Sequence, residues 1–185
     1  QNVGSKVIMA MTLITTNTES GDATSSFTSS IDSTYRLYIF KFLDINPATD
    51  NTDLTFQVNA SGQSGYNESI TSAFFFATHS EAGSDPALSY ETSKDHAGAT
   101  TFQPLSFNTG NGSDESCAGE LFLFNPSDTT YVKHWHSRVQ NLRGNDVCMD
   151  CFAAGYFNFT AALTNVQFKM SSGNFDGTIK LYGVG

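Results

Sequence analysis

Residues 31–60, IDSTYRLYIFKFLDINPATDNTDLTFQVNA, place two alternating runs on either side of a polar connection that contains Pro47. In the first run Tyr35, Leu37, Ile39 and Lys41 point one way while Arg36, Tyr38, Phe40 and Phe42 point the other, as the two-residue period of a strand requires. Both faces are largely apolar. A strand of that kind needs cover on both sides, which predicts burial inside a two-sheet sandwich or contact with a neighbouring subunit.

Outward from this unit the same pattern recurs. Beta-like runs cover 7–15, 25–28, 35–43, 54–59, 70–78, 101–107, 120–124, 131–139, 152–160, 165–170 and 178–184. Between them stand turn-forming groups: Glu19-Ser20-Gly21-Asp22, Asn46-Pro47, Ser61-Gly62-Gln63-Ser64-Gly65, Asn125-Pro126-Ser127 and Asp176-Gly177. No segment keeps apolar residues at helical spacing over three turns. The longest polar segment, 81–99, reads as a surface loop with one short helix over 93–98. The prediction is an all-β fold: an antiparallel β-sandwich, jelly-roll-like, of about ten to eleven short strands. No linker or repeat divides the chain, so a single domain over residues 1–185 is expected.

Composition narrows the function classes. A chain of 185 residues can bury roughly two-thirds of its unfolded surface in one core. Sixteen Phe and seven Tyr stand beside only 15% charged residues, so Ser, Thr, Asn and Gly must solubilise the surface. The formal charge of −9 repels a phosphate backbone, which argues against a nucleic-acid partner. The longest apolar run near the start, VIMAM at 7–11, is far shorter than a membrane span, and no membrane partner is expected.

Four groups of residues are candidates for chemistry. His134 and His136 flank Trp135 on a predicted strand, which puts both imidazoles on one face, about 7 Å apart at the α-carbons. With Cys148 and Cys151 they would supply a Cys2His2 zinc set, although neither pair has the spaced partner pair that marks such sites. The favoured reading makes the histidines part of a polar strand face or subunit contact and the cysteines small loop or core residues. Cys117, Cys148 and Cys151 cannot all pair within one chain; a Cys148–Cys151 bridge, or one from Cys117 to either, stays open. Asp44, Asp50 and Asp53 surround the Asn46-Pro47 turn and offer hard-cation chemistry, against a solvated acidic turn as the preferred reading.

Hydrolase elbows, zinc-protease helices and phosphate-cradling loops are all missing from the sequence. A non-enzymatic protein is therefore expected, with no catalytic, cofactor-binding or metal residues and no cofactor. The glycosylation-like triplets at Asn59, Asn67, Asn111 and Asn158 are what so Asn-, Ser- and Thr-rich a chain produces by chance. A carbohydrate-binding module is the main rival, with exposed aromatics such as Trp135, Tyr131 or Tyr90 stacking on sugar rings.

Three blocks carry a family resemblance: IDSTYRLYIFKFLDINPATDN at 31–51, GELFLFNPSDTTYVKHW at 119–135, and AGYFNFTAALTNVQFKMSSGNFDGTIKLYGVG at 154–185. They resemble a family of marine tailed-phage virion proteins, the final SSGN…GTIKLYG pattern above all. The resemblance implies a β-sandwich structural protein on the virion, either a capsid decoration or head fibre or a tail appendage. It implies no catalytic residues. Partners expected on this reading are further copies of the chain, as a homotrimer, other capsid or tail proteins, and a host surface glycan. The 148–151 segment and Trp135 fall outside the family pattern.

Overall fold

The computed structural model describes residues 10–84 and 86–185. Thirteen strands follow one another: β1 (Met11–Asp22), β2 (Ser25–Phe27), β3 (Leu37–Pro47), β4 (Leu54–Ala60), β5 (Ile70–Ser80), β6 (Ala87–Tyr90), β7 (Ala97–Ala99), β8 (Gln103–Pro104), β9 (Cys117–Phe124), β10 (Lys133–Arg143), β11 (Val147–Phe157), β12 (Leu163–Met170) and β13 (Phe175–Val184). No helix occurs among the described residues. The all-β antiparallel sandwich expected from the alternation is the fold observed.

Its winding is that of a jelly roll. Strands β1, β13, β3 and β9 lie side by side in one sheet and β2, β12, β4 and β8 in the other. The chain changes sheet at β1–β2, β2–β3, β3–β4, β4–β5, β7–β8, β8–β9, β11–β12 and β12–β13, and the orders β1-β13-β3-β9 and β2-β12-β4-β8 are those of two interlocked Greek keys. Two insertions enlarge only the first sheet: β10 and β11 continue it beyond β9, and β5, β6 and β7 continue it further. A nine-stranded sheet therefore lies over a four-stranded one. The segment 100–116 lines the underside of the extension, where Asn141 donates to the Phe107 carbonyl at 3.1 Å and the Phe76 and Phe107 rings meet edge-on at 5.3 Å.

Aromatic residues fill the space between the sheets. On β3 the phase set by Tyr38, Phe40 and Phe42 points inward and is buried. Phe168 of β12 meets Phe27, Phe40, Phe42 and Phe56 at centroid distances of 5.1–6.2 Å, and Trp135 packs edge-on against Phe56 at 4.9 Å. Strand β4 is buried along its whole length: its polar phase lies under the 61–70 and 100–104 connections, where Gln57 donates to the Glu68 carbonyl at 2.9 Å and Asn59 accepts from the Tyr66 N–H at 2.8 Å. Asn59 is thus a core residue.

Several expected elements are corrected. Thirteen strands form among the described residues, against the ten to eleven expected. The helix over 93–98 is absent: a turn closed by Lys94 N–H to the Glu91 carbonyl leads into β7. The supposed loop 81–99 contains β6 and β7, whose strand character comes from pairing with β5 and not from their own sequence. Of 101–107 only β8 is strand. The runs at 131–139 and 152–160 shift inward and meet as the hairpin β10–β11, with 11 residues in each strand, through a segment too polar to announce itself. Glu19-Ser20-Gly21-Asp22 makes no chain reversal; it is an irregularity at the end of β1, opposite Gly177. There the backbone holds φ +137°, and an added Cβ would lie 2.8 Å from the Asp44 carbonyl oxygen, so glycine alone fits. The expected strand over 7–15 lies partly outside the described residues; β1 starts at Met11.

Candidate functional site

The outer face of the nine-stranded sheet is the broadest surface with unusual chemistry. Strand register sets its rows. One row runs Lys180, Lys41, Glu120, Arg138, Phe152, Phe75 and Tyr90 across β13, β3, β9, β10, β11, β5 and β6. The next runs Tyr182, Ile39, Phe122, His136, Ala154 and Ala73. Phe75 and Phe152 lie parallel, 4.9 Å between centroids and 2° between planes, and Arg138 covers Phe152 at 5.1 Å. His136 stacks on Phe122 at 4.6 Å.

Side neighbours hide much of this apolar surface. Ile39 is only 6% exposed, flanked by Tyr182 and Phe122 on the neighbouring strands, with no second layer over it among the described residues. Cover on both faces of β3 thus comes from the sandwich on one side and from lateral packing on the other. Toward the β6 edge the shielding ends: Phe75 is 41% exposed, and Leu88 and Tyr90 more. Four charges on this face are paired: Lys41 with Glu120, and Arg138 with Asp150 of the neighbouring row through Nη2–Oδ2 at 2.7 Å and Nε–Oδ1 at 3.0 Å. Asp150 holds the Arg138 guanidinium above its ordinary pKa by hydrogen bonding and by its charge.

The structure disperses the candidate zinc set. His134 and His136 do share the outer face, as their spacing predicts. Cys148 shares it too, but opposite Leu142, six positions along β10 from His136. Cys151 points into the core, since residues three apart on a strand face opposite ways. Neither cysteine is in a loop. Cys117 is opposite Asn141 on β9, two strands from Cys151 and out of register with it, so these buried thiols cannot bridge without backbone movement. All three cysteines are free. Burial pushes the Cys117 thiol up to about 12 and raises that of Cys151 as well. Asp44, Asp50 and Asp53 do not converge either: Asp53 is withdrawn into an ion pair with Lys94 at 2.5 Å and accepts the Asn108 N–H at 2.8 Å. Among the described residues no three His, Cys, Asp or Glu side chains gather around a cation-sized point.

Of the aromatics proposed to stack on sugars, Trp135 is buried and Tyr131 and Tyr90 are exposed. Tyr131 borders a hollow of about 460 Å³ beyond the end of the β9–β10 hairpin, with Phe124, Asn125, Asp128, Thr130, His134 and Thr160 around it. Lys133 of β10 shares the inward phase of Trp135 and is fully buried. It donates to the carbonyls of Asp128, Tyr131 (2.8 Å) and Thr160 (3.2 Å), and lies 5.8 Å over the Phe159 ring. Burial pushes its pKa below the ordinary lysine value while the Asp128 charge acts the other way. No signal short of the fold reveals this arrangement, because its carbonyls come from two distant loops. The Phe75–Phe152 pair is partly legible, as the FFF run at 74–76 must put one ring outward.

No protein-family model matches the chain, and no curated protein matches it in sequence.

Proposed function

We propose that this chain is a non-enzymatic structural protein on the surface of a phage virion, a capsid decoration, head fibre or tail appendage, assembling as a homotrimer through the outer face of the nine-stranded sheet. The resemblance supplies the particle. Its three blocks map onto β3, β9 with the start of β10, and the end of β11 through β13, and the parts in the large sheet are neighbours there. The observation that carries the assembly reading is chemical: an aromatic sheet face with a near-neutral charge balance in a strongly acidic chain. The two rows and the adjoining Asp150 hold Lys41, Arg138 and Lys180 against Glu120 and Asp150, while the whole chain carries −9. Copies can therefore meet on this face without the repulsion that opposes contact elsewhere. Burying exposed rings such as Phe75 and Tyr90 contributes about 25 cal/mol per Å² of apolar area, and symmetry multiplies the contacts.

Native mass spectrometry tests the assembly: three times the 20.0 kDa chain mass is expected, and Phe75→Glu should return monomer with an unchanged circular-dichroism spectrum. A monomer at all concentrations rejects it. An averaged map of particles carrying the protein tests the particle role, with copies expected on the shell or the tail. Purified particles without it overturn that role.

A further inference from the structure

We propose that the hollow beside Tyr131 binds a neutral pyranose, the tyrosine ring stacking on the apolar face of the sugar while Asp128 and the threonine hydroxyls take its hydroxyl groups. The inference does not rest on assembly or on the particle role, since one chain builds the whole hollow. Three observations carry it.

The first is the pairing of chemistry. Tyr131 is 69% exposed and Phe124 38%, beside Asn125, Asp128, Thr130 and Thr160. A sugar ring offers both an apolar face and a rim of hydroxyls, and this lining answers both. At about 460 Å³ the hollow is toward the small end of ligand sites, in keeping with one ring.

The second is rigidity. Besides the three carbonyls held by the Lys133 ammonium, the Pro126 carbonyl accepts the Leu163 N–H at 2.8 Å, and Asp128 Oδ1 accepts the N–H groups of Thr130 (2.7 Å) and Tyr131 (2.8 Å). Asn125 keeps a left-handed φ of 45° at the rim. A surface loop fixed at so many points, yet presenting an uncovered ring, loses little entropy when a ligand settles on it.

The third is the state of Asp128. Hydrogen bonds from the Tyr131 and Thr130 N–H groups hold its carboxyl below the usual carboxylate range. Its Oδ1 is occupied twice, but among the described residues Oδ2 receives only the Asn125 amide at 3.3 Å. A fixed anion with free lone pairs accepts from neutral hydroxyls and repels acidic sugars and phosphate. The charged trough on the outer sheet face is less suited, because Lys41, Glu120, Arg138 and Asp150 already satisfy one another.

Saturation-transfer NMR with the methyl glycosides of glucose, galactose, mannose and N-acetylglucosamine tests the proposal, with methyl glucuronide as the acidic control. At least one neutral probe should bind with a Kd in the millimolar range, on the order of −4 kcal/mol. Tyr131→Ala should weaken it about tenfold, Tyr131→Phe should not, and Tyr90→Ala should leave it unchanged. The assembly-deficient Phe75→Glu chain should bind as the parent does. No transfer from any neutral probe overturns the proposal, as does binding that survives Tyr131→Ala or favours the glucuronide.

Discussion

Lys94 Nζ and Asp53 Oδ2 lie 2.5 Å apart, 16% and 7% exposed, with the Lys94 ammonium 4.8 Å above the Phe107 ring. Asp53 also receives the Asn108 N–H at 2.8 Å, so its carboxylate ties β4 to the 100–116 segment beneath the sheet extension. Removing one member of a buried pair leaves the other charged and unpaired, which costs about 3–5 kcal/mol. Asp53→Ala strands both the ammonium and the Asn108 N–H, and should lower the urea midpoint more than Lys94→Met does. Equal effects would show that the backbone contact contributes nothing.

Trp135 packs against Phe56 and Phe157 while its indole N–H has no hydrogen-bond partner among the described residues. Truncation to Ala leaves a large void and should cost about 3–5 kcal/mol. Trp135→Phe keeps most of the packing and removes the unpaired donor, so its cost should be at most about half of that. As the lone tryptophan, Trp135 should fluoresce as a buried indole and shift to the red on unfolding. A solvent-exposed emission maximum in the native protein would contradict its burial.

The cysteines should divide by reactivity. Only the thiolate attacks an alkylating reagent, and burial holds the Cys117 and Cys151 thiols far above the range in which it forms. Cys148 is exposed. Intact-mass analysis of native protein treated with iodoacetamide should show one adduct, at Cys148, and three after denaturation. Rapid native labelling of Cys151 would mean that β11 opens readily.

His96 gives a pH signature. Burial lowers its pKa below the ordinary histidine value of 6.5, against the pull of the Asp95 charge, and its buried Nδ1 has no partner among the described residues. Between its folded pKa and 6.5 the unfolded chain holds more protons than the folded one, so stability is full above 6.5 and falls as pH drops below it. His96→Gln should flatten the stability profile between about pH 7.5 and 5.5, above the carboxylate range. An unchanged slope would assign the acid sensitivity to other groups.

Sheet pairing explains what the sequence hid. In β6 and β7 the strand state is imposed by β5, and nothing in the polar segment 81–99 alternates strongly enough to signal it. Along β10 and β11 alternation is clear around Trp135 and Phe157 but fades through Gln140, Asn141 and Arg143, where Asn141 is buried because Phe107 satisfies its amide. Pattern reading counts hydrophobicity, so a polar side chain made internal by a distant backbone partner escapes it.

Alternation by itself determined that this is a two-sheet antiparallel sandwich, and it put Tyr38, Phe40 and Phe42 on one side of the strand and Leu37, Ile39 and Lys41 on the other, because a strand allows side chains only two directions; with both sides apolar, it left open which one faces the core. Which strands neighbour one another was decided by the tertiary structure. That pairing placed Phe75 on Phe152, sent Cys148 and Cys151 to opposite faces far from His134 and His136, and brought three carbonyls around Lys133. Such contacts join residues dozens of positions apart, and they depend on register between strands, a quantity that no local pattern encodes.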